Sequence, residues 1–226
     1  MAERVELDLL PVTAVRRRAR GVMLMALVLA AAAGGVVGLF GGRVPGLIAA
    51  GVIGLPLLLL ALGEARRRTW LEKSVVTVRA IGSRRVDITR AQRRDLMVSD
   101  VRGQRTVSLL LSAQRGPTVT VPLAIYTPVG GLELGVLGLR RLADALAGSA
   151  GTVDMAGTAD MAGTAGTADR EAKMLSALLI AQLRSEARGD SPAERPLRLA
   201  AGLAPAGRLV RKVNHGRLAA LVSELG

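Results

Sequence analysis

Two long stretches without a single ionisable side chain leave few folds open to this chain. The first, "GVMLMALVLAAAAGGVVGLF", runs from Gly21 to Phe40, and the second, "VPGLIAAGVIGLPLLLLALG", runs from Val44 to Gly63. A helix rises 1.5 Å per residue, so roughly 20 residues cross a hydrocarbon core. A helix that is apolar all round must be buried in a large protein or surrounded by lipid. Only "GGRVPG" around Arg43 joins the two stretches, and so short a connection makes a tight helical hairpin. The spacing therefore predicts a membrane hairpin over residues 21–63, with spans 21–40 and 44–63.

The basic residues orient it. Arg16, Arg17, Arg18 and Arg20 precede the first span, Arg66, Arg67 and Arg68 follow the second, and Arg43 alone sits between. Basic flanks stay on the cytoplasmic side, so the N-terminal segment 1–20 and everything after residue 63 are expected inside the cell membrane. Trp70 follows at the level where indole favours the headgroups. A competing expectation makes residues 1–33 a signal peptide of a secreted protein, with "AAA" before Gly34 as the cleavage site. Against it, the apolar run continues to spanning length and a second span follows at once.

Small residues recur four apart on both spans. Ala26, Ala30, Gly34, Gly38 and Gly42 share one face of the first helix, and Gly46, Ala50 and Gly54 share one face of the second. Where the hydrophobic effect offers nothing between helices, such ladders let backbones approach. The ladder serves the hairpin itself or a homodimer. Pro56 is expected to kink the second span or mark a close contact.

After the spans the period changes to two. Val76, Val78 and Ala80 alternate with polar residues, as do Val86 and Ile88, and a three-residue loop Gly82-Ser83-Arg84 sets Val78 opposite Ile88 and Arg79 opposite Asp87. A second hairpin sets Val107, Leu109 and Leu111 against Val119, Val121 and Leu123, with Gln114-Arg115-Gly116 as loop and Gly116 left-handed. Leu96 and Val98 suggest a short strand between, and Pro122 suggests an edge. A helix over 132–147 presents Val136, Leu139, Leu142, Ala143 and Leu146. The expectation is a small α+β domain over residues 69–147, an antiparallel sheet of about five strands closed by a C-terminal helix.

Residues 148–169 are low in complexity, with "MAGTAD" at Met155 and again in part at Met161, and read as a flexible linker. The tail, 170–226, reads as helical in part and disordered in part. One helix is expected over 170–188. A basic amphipathic helix is expected over about 207–225, to lie on an anionic leaflet, on a partner or on its own sheet.

Taken together, the spans, "TWLEKSVVTVRA", "RRVDITRA" and the closing "LGLRRLADAL" resemble bacterial two-span membrane proteins carrying a pleckstrin-homology-like domain. The resemblance covers roughly residues 20–147 and implies a small bent antiparallel sheet capped by a helix, of seven strands where five are legible here. It implies architecture rather than an activity, and no phosphoinositide-binding motif transfers residue by residue.

Composition narrows function further. The chain is 50% hydrophobic but has one Trp, one Tyr and one Phe, and its net charge is +13. Its wealth of Ala, Gly, Arg and Val suits a GC-rich bacterial genome. There is no Cys and one histidine, His215, expected to be a surface or packing residue without a partner. No phosphate-binding loop, dinucleotide fingerprint, nucleophile elbow or metal-binding motif is present, so no catalytic residue, cofactor or metal ligand is assigned and the chain is read as non-enzymatic. The expected partner is the lipid bilayer, above all anionic lipid of the inner leaflet, with a protein partner or a second copy beside it. Nucleic-acid binding through Arg79, Arg84, Arg85, Arg90, Arg93 and Arg94 is the alternative, weakened by the lack of aromatic stacking platforms.

Overall fold

The structure is a computed structural model that describes residues 4–9, 12–80, 82–113, 116–150, 162–205 and 210–225. After a short N-terminal strand come two long helices, α1 (Val12–Gly41) and α2 (Arg43–Arg66). Within them Ala19–Gly41 and Arg43–Gly63 are long and apolar enough to cross a membrane. Arg16, Arg17, Arg18 and Arg20 therefore lie in α1 itself, which begins well before the apolar run. One residue, Gly42, links the helices. Its φ of 87° lies in the left-handed region, and its N–H donates to Gly38 O at 3.0 Å. Glycine reaches that conformation without steric cost, which closes α1 and turns the chain within a single residue. Helix α2 continues through Pro56.

A sheet-rich domain follows. Among the described residues there are nine strands: β1 (Arg4–Glu6), β2 (Arg68–Glu72), β3 (Val75–Arg79), β4 (Ser83–Asp87), β5 (Arg93–Val101), β6 (Gln104–Ser112), β7 (Thr118–Thr127), β8 (Gly130–Glu133) and β9 (Arg211–Lys212). They form a four-stranded sheet in the order β1-β2-β3-β4 and a five-stranded sheet in the order β8-β7-β6-β5-β9. Helices α3 (Val136–Ala150), α4 (Ala162–Arg188), α5 (Pro196–Gly202) and α6 (His215–Leu225) complete the domain. The chain divides into two compact units. One holds residues 1–9, 69–78 and 83–226, and the other holds 10–68 with the hairpin tip 79–82.

The first unit has one hydrophobic core drawn from both sheets and all its helices. Leu7, Leu71, Ile88, Leu96, Leu109, Leu123, Leu142, Leu178 and Leu197 are all essentially inaccessible. Aliphatic side chains thus do the work that aromatic ones do in most domains of this size.

The strand count exceeds the five expected, and the excess comes from short strands with no alternation long enough to notice. Strand β1 pairs antiparallel with β2, Val5 opposite Leu71, and lies in the segment read only as a basic lead-in. Strand β5 extends well beyond Leu96 and Val98. It joins β6 through Arg102 (φ 54°) and Gly103 (φ 78°), both left-handed, as a two-residue hairpin with matching strand twist requires.

The first expected hairpin register is corrected. The Ile88 N–H donates to Ser74 O at 2.8 Å, so Ser74 rather than Val78 lies across from Ile88. Asp87 is not placed opposite Arg79; it accepts from Thr89 N and Oγ1 at 2.9 and 2.7 Å. Burial pushes its carboxyl up, but the bonds from Thr89 outweigh that and hold it below the usual carboxylate range. The two registers differ by an even number, which leaves each side chain on the same face, so alternation alone does not separate them.

The second hairpin keeps its core pairs, Leu109 with Val121 and Leu111 with Val119, while a bulge shifts Val107 to Ala124. Pairing ends at Ser112 and Thr118, which leaves a connection of 113–117 in place of three residues. Pro117 has no N–H to extend the ladder. Of the expected loop, Gln114 and Arg115 lie outside the described residues. Strand β7 is not an edge. Pro122 is tolerated beside the bulge, because β8 pairs only with Ala124–Thr127.

The tail also differs from expectation. Residues 148–150 belong to α3 and α4 starts at Ala162, inside the segment read as a linker, where alanine favours helix. The repeat itself lies for the most part outside the described residues. Val136 is exposed, whereas Leu139, Leu142, Ala143 and Leu146 are buried. Helix α4 binds α3 through the Ser176 hydroxyl, which donates to Ala143 O at 3.0 Å. Helix α6 is shorter than expected, and the chain before it forms β9. Its buried Leu218 and Leu221 join the core, so of the surfaces considered for it α6 occupies that of its own domain.

Candidate functional site

The glycine ladder is where the helix pair comes closest. A methyl group placed on Gly46 would lie 2.7 Å from Gly34 O and 2.8 Å from Gly38 Cα. One on Gly34 would lie 2.8 Å from Ala50 Cβ, and one on Gly54 2.7 Å from Ala30 Cβ. Ala30, Gly34, Gly38, Gly46, Ala50 and Gly54 are thus brought together between α1 and α2. Outside this seam the helices are apolar and exposed: Phe40 is 90% accessible, Leu39 84% and Leu47 74%.

The topology residues fall at the helix ends. Arg16, Arg17, Arg18 and Arg20 lie in α1, with Arg17 and Arg20 exposed; Arg66 and Arg67 are exposed at the end of α2, and Arg68 opens β2. Trp70 is opposite Glu6, and the Arg4 guanidinium stacks 3.7 Å from its ring centroid, a cation–π contact that holds the N-terminal strand. Asp8 reinforces this tie by accepting from Thr69 N at 3.0 Å.

Arg94 leaves the candidate nucleic-acid face, because it is buried, 3% accessible. Its guanidinium donates to Ile88 O through Nη2 at 2.8 Å and Nε at 3.2 Å, and to Thr89 O and Ala168 O at 3.3 Å each. Burial lowers its pKa, and the charges of Asp169 and Glu171 work against that. The side chain therefore cross-links β5, the turn after β4 and the start of α4. Replacing Arg94 by Met is expected to cost about 2–3 kcal/mol, since three carbonyls lose their donor. Denaturant unfolding of the detergent-solubilised chain measures it, and a loss below about 0.5 kcal/mol would contradict this role.

A cluster of titratable groups surrounds a neighbour of Arg94. Asp95 on β5 has a side chain only 3% accessible, with Lys212 Nζ of β9 2.5 Å from its Oδ1 and Arg93 Nη2 3.6 Å from its Oδ2. His215, first residue of α6, places Nε2 2.9 Å from Glu171 Oε1 on α4 and 3.8 Å from Asp95 Oδ1. The backbone fixes this arrangement. Met97 pairs with Lys212, Val213 N donates to Leu96 O at 2.9 Å, and Asn214 Oδ1 caps α6 by accepting from Gly216 N at 2.8 Å. The expectation that His215 has no partner is thereby overturned. Sequence spacing gave no hint, because the three groups come from distant parts of the chain and meet only through the β5–β9 pairing.

No family model, curated protein or solved structure matches the chain.

Proposed function

We propose that this chain is a membrane-anchored, non-enzymatic interaction module. Both termini are cytoplasmic, and its pleckstrin-homology-like domain meets protein partners or anionic lipid at the inner face of the cell membrane. The observation that carries the anchor is the exposed apolar shell of α1 and α2, a surface that lipid covers and water disfavours. Helix α1 runs unbroken through Gly34, which favours a span over a cleaved leader. For the domain, β2 to β8 followed by α3 match the strand count and closing helix that the resemblance implies; β1 and β9 are additions. Arg84, Arg85 and Arg90 are exposed on or beside β4, and Arg79 is exposed at the end of β3. Such arginines suit anionic headgroups.

Reporters fused after Arg68 and at the C-terminus are expected to be cytoplasmic; an external signal from either would overturn the orientation. For the lipid contact, the full chain is reconstituted into nanodiscs of zwitterionic or anionic lipid. Hydrogen exchange in the β3–β4 hairpin is expected to slow several-fold in the anionic discs and to recover in high salt. Equal rates in both lipids would remove the lipid from the proposal and leave the protein partner. Salt-dependent retention of DNA would point instead to nucleic acid.

A further inference from the structure

Three lone-pair donors converge where the C-terminal segment joins the sheet: one carboxylate oxygen each of Asp95 and Glu171 and one ring nitrogen of His215 all lie within 4.8 Å of one another. Asp95 Oδ1 and both ring nitrogens of His215 are shut off from solvent and lack an aligned hydrogen bond. Two carboxylates facing an imidazole make a donor set that a cation can share. Lys212 supplies one toward Asp95, but its Nζ is 3.9 Å from Glu171 Oε1 and its side chain is 39% accessible, free to swing outward. Donor atoms around a tetrahedral zinc ion with bonds of about 2.0–2.1 Å stand about 3.3 Å apart. The His215 separations of 2.9 and 3.8 Å bracket that value.

We propose that Asp95, Glu171 and His215 form a site for a divalent transition-metal ion of the zinc type, in which the metal displaces the Lys212 ammonium. Imidazole with carboxylates is a donor set suited to such ions, and three protein ligands leave a coordination position for water or for a donor from a partner. The ion ties β5, α4 and the first turn of α6 together, so its binding controls how firmly β9 and α6 stay on the sheet. The metal requires neutral imidazole and ionised carboxylates, so affinity falls in acid.

The test uses the untagged full chain in detergent, stripped with chelator; with one histidine in the sequence, a His tag would mask the result. Co²⁺ serves as the visible probe and Zn²⁺ as competitor. The expected result is Co²⁺ d–d absorption that saturates at one ion per chain, together with a Zn²⁺-dependent rise in the unfolding midpoint. His215→Ala and Glu171→Gln, each checked for native circular dichroism, should weaken binding at least tenfold. Lys212→Met should tighten it, because the competing cation is gone. Absence of binding in the wild type overturns the proposal, including the case where only Lys212→Met binds, since lysine is then the native counter-ion. Unchanged binding in His215→Ala overturns it too, since the ion then sits elsewhere.

Discussion

Replacing Gly46 by Val is expected to break the helix pair apart, at a cost on the order of 3 kcal/mol. The reason is geometric. The first methyl of any side chain at this position meets Gly34 O at 2.7 Å and the backbone of Gly38 at 2.8 Å, and neither can rotate away. The helices must separate, which also opens the seams where Gly34 meets Ala50 and Gly54 meets Ala30. Gly51 provides the control. It is in the same helix, but nothing lies within 4 Å of a methyl placed there, so Gly51→Val should shift stability by no more than about 0.5 kcal/mol. Titration of mixed micelles with dodecyl sulfate, followed by far-ultraviolet circular dichroism, compares the two. Equal midpoints for both variants would mean that the glycine seam does not hold the pair together.

That seam was readable in the sequence for a physical reason. A helix that is apolar on all sides has only its length and its small-residue spacing to specify it, and both are local properties of the chain. The core pairs of the β6–β7 hairpin were readable too, because alternation on both strands and a short loop centred on residue 115 agree on them. The bulge at Val107 was not legible, because Pro122 announces a disturbed ladder without saying how it is resolved.

What stayed hidden depends on long-range pairing. Arg4–Glu6 and Arg211–Lys212 are too short to show a period, and each becomes a strand only because an edge of the sheet accepts it. Without β9 there is no cluster of Asp95, Glu171 and His215. The helix over 170–188 was legible from its apolar spacing, but its partner was not. Leu175, Leu178 and Leu179 could as well have faced a membrane or another protein; they face the core beside α3. The tail is thus part of the domain, with Lys212 and Arg195 engaged in internal ion pairs.

Glu133→Ala should be the most damaging single change in that tail-to-sheet junction, costing on the order of 3 kcal/mol. Glu133 Oε1 accepts from the Tyr126 hydroxyl at 2.7 Å, while Oε2 accepts from Gln182 Nε2 at 2.9 Å and from Arg195. Gln182 in turn accepts the Leu197 N–H at 3.0 Å at the start of α5. One carboxylate on a short edge strand therefore organises α4, α5 and the end of β7. Burial, then the hydrogen bond and charge of Glu133, push the Tyr126 phenol well above its usual range, so it remains a donor. Alanine removes the acceptor for three donors at once and leaves the Arg195 guanidinium, only 24% accessible, without its counter-charge. The double variant Glu133→Ala with Arg195→Ala should lose less than the sum of the two single changes, because no unpaired ion is left behind. Denaturant unfolding of the four proteins gives the coupling, and hydrogen exchange should localise the loosening to α5. Strict additivity would show that the pair acts as two independent surface charges and that packing alone holds the tail to the sheet.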